Sequence, residues 1–174
     1  DSQLGEQFLR TIKPFTFRKY VDMAGIHETL HAMSEMRSKS IQNAHCSSSS
    51  GTVHVKTGVG GIRDVEFVVQ AVQMLYGGQY PEVRCSGTVL SLRRIRESGL
   101  LTAEDFNALL DGYRFLRRVE HRLQMESELQ VYTLPAGSHQ KEVFARRLGY
   151  PGWKAFFADY QRLTAAVRKI YEGI

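Results

Sequence analysis

The stretch Thr52-Val53-His54-Val55-Lys56-Thr57-Gly58-Val59-Gly60-Gly61-Ile62-Arg63-Asp64-Val65-Glu66-Phe67 changes its periodicity twice. Up to Lys56 the residues alternate and are rich in β-branched types, the pattern of one short strand. Thr57-Gly58-Val59-Gly60-Gly61 is a glycine-rich turn. From Ile62 the apolar residues Ile62, Val65, Val68 or Val69, Val72 and Leu75 or Tyr76 recur every three to four positions, until Gly77-Gly78 stops the helix they predict. A lone strand cannot satisfy its own hydrogen-bonding edges or bury both faces. Residues 52–56 therefore pair either with a segment this pattern does not reveal or with a sheet outside these 174 residues, and the second is the expectation.

Outward from that stretch the chain reads as helix. On the N-terminal side, Leu4, Phe8, Leu9, Ile12 and Phe15 fall near helical spacing, with Pro14 placed to end or kink the helix. A second helix is predicted from about Met23 to Asn43, with Ile26, Leu30, Met33, Met36 and Ile41 as its core face and Glu28, Glu35, Arg37 and Lys39 in solvent. Cys46 to Gly51, with four consecutive serines, reads as a flexible connection. On the C-terminal side, Thr88 to Ser98 forms one helix. Thr102-Ala103-Glu104-Asp105 is a capping-box signature opening a long one to about Leu129. Ser138 caps another through Leu148, and after Pro151 a last helix carries Phe156, Phe157, Tyr160, Leu163, Val167, Ile170 and Tyr171. The expected fold class is mainly α, a helical bundle with a small β remnant.

Composition agrees and narrows the function classes. A 43% hydrophobic share in 174 residues suffices for a core, so whole-chain disorder is excluded, and only four prolines interrupt a mixture of strong helix formers. No apolar run approaches the roughly 20 residues a membrane span needs, and no signal peptide opens the chain, so a cytoplasmic protein with no membrane partner is expected. Cys46 and Cys85 lack disulfide or metal-ligand spacing. The net charge of +5 permits an anionic partner. Yet the eight arginines between Arg84 and Arg122 are interleaved with Glu97, Glu104, Asp105, Asp111 and Glu120, the pattern of a solvated helical face rather than a nucleic-acid surface.

Two motifs carry possible chemistry. His27-Glu28-Thr29-Leu30-His31 matches HExxH, which sets two imidazoles on one helical face for zinc, with the glutamate as general base. A zinc hydrolase is one reading and a solvated helix face the other. The metzincin continuation is absent, since Ala32, Met33, Ser34 and Glu35 follow. The second motif is the glycine-rich turn. Glycines between a strand and a helix let backbone N–H groups approach an anion, and the positive helix end favours a phosphate there. Lys56 and Arg63 add charge, Arg63 with a fork for two oxygens. The spacing is neither a Walker A loop nor GxGxxG. A plain turn into a helix whose Asp64 and Glu66 complement its dipole stays open. On a helix, residues two apart diverge by roughly 200°, so at most one of Asp64 and Glu66 points at any given site.

The run GGIRDVEFVVQAVQMLYGG (60–78), followed by SGLLTAEDFNALLDGYRFLRRVEHRLQ (98–124) and then TLP (133–135), resembles the bacterial glutamine synthetase adenylyltransferase family. These bifunctional enzymes add and remove AMP on a glutamine synthetase tyrosine. FLRTIKPFTFRKYVD (8–22) is similar to the segment ahead of that motif, so the resemblance spans nearly the whole chain. The same segment and YRFLRRVEHRLQ are more similar to the N-terminal, AMP-removing half. The resemblance implies a nucleotidyltransferase core that binds divalent metal through two aspartates, followed by a helical bundle. It implies Mg2+ as cofactor of the intact enzyme, and glutamine synthetase, the PII regulatory protein and nucleotide or phosphate as partners. No G-x-D-x-D type pair occurs in these residues, so it is expected upstream of Asp1 and the chain looks like a fragment. The implied division is a helical segment and Ser-rich connection at 1–51, the edge of the nucleotidyltransferase core at 52–66, and a helical domain at 67–174. By that match Lys56, Gly58, Gly60, Gly61 and Arg63 are the expected phosphate or nucleotide contacts, and Asp64 or Glu66 holds a supporting acidic role in catalysis, with no metal ligand assigned. The fragment alone is expected to be inactive. A docking module for glutamine synthetase or PII is the alternative from the binding class.

Overall fold

The helical spacing and its stop signals become helices with nearly the expected limits. The computed structural model describes residues 2–17, 21–46, 53–127 and 131–173. It places α1 at Ser2–Thr16, α2 at Met23–Cys46, α3 at Ile62–Tyr76, α4 at Thr88–Glu97, α5 at Ala103–Ser127, α6 at Ser138–Arg147 and α7 at Trp153–Glu172, with a single 3-10 turn, Pro81–Val83, between α3 and α4. The protein is mainly α. The capping box at α5 forms: Thr102 Oγ1 accepts from the Asp105 backbone N–H at 3.0 Å and donates to the Asp105 carboxylate at 2.7 Å. Ser138 does not cap α6 but is its first helical residue, behind Gly137. The predicted extension of α5 to Leu129, the serine connection and the Ile41 side chain lie outside the described residues.

Two apolar clusters hold the bundle together. In one, Phe115, Leu116, Val119 and Leu123 of α5 meet Phe144 of α6, Phe156 and Tyr160 of α7, and also Val55, Ile62 and Leu134. Phe156 lies at its centre, with ring centroids of Trp153, Tyr150, Phe144 and Phe115 at 5.2, 5.5, 5.6 and 5.9 Å. In the other, Val65, Val68, Val69 and Val72 of α3 pack with Leu92 and Ile95 of α4, Leu109 of α5 and Val167 of α7. Helix α3 thus sits against α2, α4, α5 and α7, and Ile62 and Val65, three residues apart, serve different clusters.

Two expectations are corrected. Residues 52–56 do not require a sheet outside the chain. Val55 N–H donates to the Tyr132 carbonyl at 2.8 Å and Leu134 N–H to the Val53 carbonyl at 2.9 Å, a single antiparallel bridge between His54 and Thr133. The bridge ends there because the chain turns at once, Gly58 N–H reaching back to the His54 carbonyl at 2.7 Å. No strand longer than this bridge occurs among the described residues. The second correction concerns the phase of α2. Met36, expected in the core, is 55% exposed, whereas Arg37, expected in solvent, is 2% exposed. Met33 is buried as expected. On α1, Leu4, Phe8, Leu9 and Phe15 are exposed, and the helix runs two residues past Pro14.

Candidate functional site: the glycine-rich loop and its buried clamp

The loop between the His54 bridge and α3 is closed by its own backbone. Gly58 N–H donates to the His54 carbonyl, Gly61 N–H to Gly58, Ile62 N–H to Val55, Arg63 N–H to Lys56 and Asp64 N–H to Gly61, at 2.7–3.2 Å. Gly60 N–H donates to Asp64 Oδ2 at 2.7 Å, and Thr57 N–H to His54 Nδ1 at 3.2 Å. Seven consecutive or near-consecutive donors are thereby spent inside the chain. A phosphate at this turn meets side chains before it meets free amides, unless the loop opens.

The glycines are explained by close approach. A Cβ at Gly60 would lie 2.0 Å from the Thr164 carbonyl oxygen of α7, and its φ of +68° is one that side-chain-bearing residues rarely adopt. A Cβ at Gly61 would meet three carbonyl oxygens of the loop at 2.7–2.8 Å. The turn is thus pressed onto α7 and folded on itself, and its sequence answers to packing.

Asp64 is fully buried and both of its oxygens are taken. Oδ2 accepts the Gly60 N–H, and Oδ1 pairs with Nε of Arg37, reaching in from α2. The other two arms of that guanidinium donate to the Thr57 and Gly58 carbonyls, each at 2.9 Å. One arginine so satisfies a buried carboxylate and two loop carbonyls with its planar fork. Glu66, two residues on, is half-buried on another face of α3. The two carboxylates do not converge.

The cationic side chains sit around the bridge. Lys56 Nζ stands 4.8 Å above the Tyr132 ring, and Arg63 is half-buried at the first turn of α3. His54, which the sequence pattern did not single out, lies against Tyr132 with centroids 5.6 Å apart, its Nδ1 2.9 Å from Thr57 Oγ1. Burial, and then the neighbouring Lys56 charge, hold its pKa below 6.5. Because Nδ1 accepts the Thr57 backbone N–H, the neutral ring carries its proton on Nε2. A sequence signal for His54 did exist, its place in the alternating run beside Lys56, but nothing there reveals Tyr132 as its neighbour.

Metal chemistry finds no seat here. Among the described residues no group of three or more His, Cys, Asp or Glu is placed to hold an ion. With Asp64 committed to Arg37 and Gly60, the residues at this loop do not by themselves fit a magnesium site. His27 and His31 stack on the exposed face of α2 with centroids 6.2 Å apart, Glu28 is exposed beside them, and no third ligand accompanies them among the described residues. Among those residues no helix is long and apolar enough to cross a membrane.

Comparison with known proteins places this architecture. Residues 28–174 match the family model described as GlnD PII-uridylyltransferase. The chain is also 37% identical, over its whole length, to the bifunctional glutamine synthetase adenylyltransferase/adenylyl-removing enzyme of Bradyrhizobium diazoefficiens, covering 17% of that protein. It is 37% identical over 83% of its length to the enzyme of the same name from Neisseria meningitidis serogroup A, and 36% identical over 91% to that of Stenotrophomonas maltophilia strain R551-3, covering 16% of each. The chain thus spans about one sixth of the curated relatives it matches. By the extent of the family match, this chain belongs to the GlnD PII-uridylyltransferase family, with its likeness to glutamine synthetase adenylyltransferase/adenylyl-removing enzymes running its full length.

Proposed function

We propose that this chain is a segment of an enzyme that adds and removes AMP on a glutamine synthetase tyrosine, and that it belongs to the AMP-removing half. The observation that carries this reading is the full-length likeness to the Bradyrhizobium enzyme, whose name contains both activities. The segments 8–22 and 113–124 support the choice of half. In the reaction, an oxygen of inorganic phosphate attacks the phosphorus of tyrosyl-AMP. The bond to the tyrosyl oxygen breaks, ADP leaves, and the phenolate takes up a proton. Negative charge spread over the equatorial oxygens needs fixed cations.

Lys56 and Arg63 serve that need, one on each side of the closed turn. Gly58, Gly60 and Gly61 shape the turn that sets them apart. Asp64 holds the turn in place, and Glu66 is the acidic group left for a supporting role. Residues 52–66 are the edge that meets the nucleotidyltransferase core, and any magnesium is held by carboxylates outside this chain. The protein works in the cytoplasm, and the chain alone does not turn over.

The test replaces the matching segment of the Bradyrhizobium enzyme with this chain and follows both reactions. Arg63→Ala in that chimera lowers ADP release from adenylylated glutamine synthetase by about 100-fold or more and leaves AMP incorporation intact. Loss of AMP incorporation with unchanged ADP release would assign the chain to the other half. The family model's own description favours PII as a second partner. Pull-downs with PII and with glutamine synthetase, both negative, remove the docking reading.

A further inference from the structure

Helix α2 is lightly held along its length and firmly held at one point. Of its described residues, only Gly25, Met33 and Arg37 are buried. Open grooves run along both flanks. One, of about 640 Å3, separates Ile26 and Leu30 from α3, α5 and α7. The other, of about 330 Å3, separates Leu30 and Met33 from Phe67, Ala71 and Tyr171. Apolar packing therefore leaves α2 room to shift. Arg37 does not share that freedom, because all three of its nitrogens are bonded to the loop at Thr57, Gly58 and Asp64. Among the described residues it is the α2 side chain that hydrogen-bonds the loop.

We infer that Arg37 is a positioning residue for the 57–64 loop, and that α2 transmits its own placement to that loop through this guanidinium. A shift of α2 into either groove pulls on two loop carbonyls and on the carboxylate that fixes Gly60. The loop in turn carries Lys56 at its start and Arg63 at its end, so the separation of those two cations follows α2. This deepens the proposed function by naming what sets the geometry of its anion contacts, and the test below involves no nucleotide, so the two stand or fall separately.

The coupling is read by amide NMR shifts in the 174-residue chain. Leu30 lines both grooves and lies two helical turns, roughly 10 Å, from Arg37. Leu30→Trp fills a groove and displaces α2 without touching the loop. In the otherwise unchanged chain it moves the Gly58 and Gly60 amide resonances. In an Arg37→Lys background, where one ammonium replaces the three-armed fork, the same substitution leaves those two resonances at least roughly threefold less displaced. A merely structural arginine would not abolish a response to a remote substitution. If either variant fails to fold, Leu30→Ala and Asp64→Asn take their places in the same cycle. Equal displacement with and without Arg37 overturns the inference, and so does no displacement of Gly58 or Gly60 in the first arm.

Discussion

Replacing Gly60 by alanine tests whether the glycines answer to packing. The backbone at Gly60 has φ +68°, and a Cβ there would sit 2.0 Å from the Thr164 carbonyl oxygen and 2.6 Å from its carbon. The left-handed conformation costs a non-glycine residue about 1–2 kcal/mol. Relieving the overlap requires the loop to retreat from α7 by roughly 1 Å, a form of overpacking that costs about 1–3 kcal/mol and stretches the Gly60 bond to Asp64. Gly60→Ala should therefore lose about 2–5 kcal/mol. Gly99 supplies the control: its φ of +74° is nearly the same, but nothing lies within 4 Å of its missing Cβ. Gly99→Ala should lose only the conformational part, about 1–2 kcal/mol. Urea unfolding followed by far-UV circular dichroism measures both, with slopes compared so that stabilities are read on one scale. Equal losses in the two variants would refute the reasoning, because the contact with Thr164 would then cost nothing.

Three further outcomes follow from the same geometry. Asp64→Ala strands the buried Arg37 guanidinium and should cost about 3–5 kcal/mol in urea unfolding, while Glu66→Gln costs about 1 kcal/mol or less; similar losses would show that Asp64 is not the clamp's partner. Met33→Ala should lose about 2 kcal/mol and Met36→Ala no more than about 0.5 kcal/mol, and the reverse order would restore the helix phase expected from spacing alone. His54 should titrate below 6.5 by proton NMR, and Lys56→Gln should bring it part of the way back. Its folded pKa being depressed, the unfolded chain holds the extra proton between that value and 6.5. The stability it contributes is present above pH 6.5 and lost as pH falls through the folded pKa; a His54 pKa at or above 6.5 contradicts this.

Much of the helical frame was legible because its signals are local. The start of α3 after Gly61, its end before Gly77 and the Thr102–Asp105 cap each depend on residues within one or two turns. What escaped depends on partners distant in sequence. Spacing assigns a charged residue to solvent, so Arg37 was placed outside. Only the fold brings Thr57, Gly58 and Asp64 to its three nitrogens, and with them burial becomes affordable for a guanidinium. The 53–55 edge lacked a visible mate because Tyr132-Thr133-Leu134 is short and ends at Pro135, too brief for a periodic pattern. The glycine-rich turn was legible as a turn, while its reason was hidden: the atom excluding a side chain at Gly60 belongs to Thr164 on the last helix. A loop of that composition suggests an anion cradle from sequence, and the hydrogen bonds then show its amides already engaged.

The central claim is that this chain serves AMP removal as part of a larger enzyme, and ADP release tests it most directly. Adenylylated glutamine synthetase, inorganic phosphate and Mg2+ are incubated with the 174-residue chain and, separately, with the Bradyrhizobium enzyme carrying this chain in place of its own segment. The account predicts ADP from the chimera only, with that signal lost in Arg63→Ala. ADP at enzyme-like rates from the chain by itself, or a chimera that releases ADP equally well without Arg63, would contradict it.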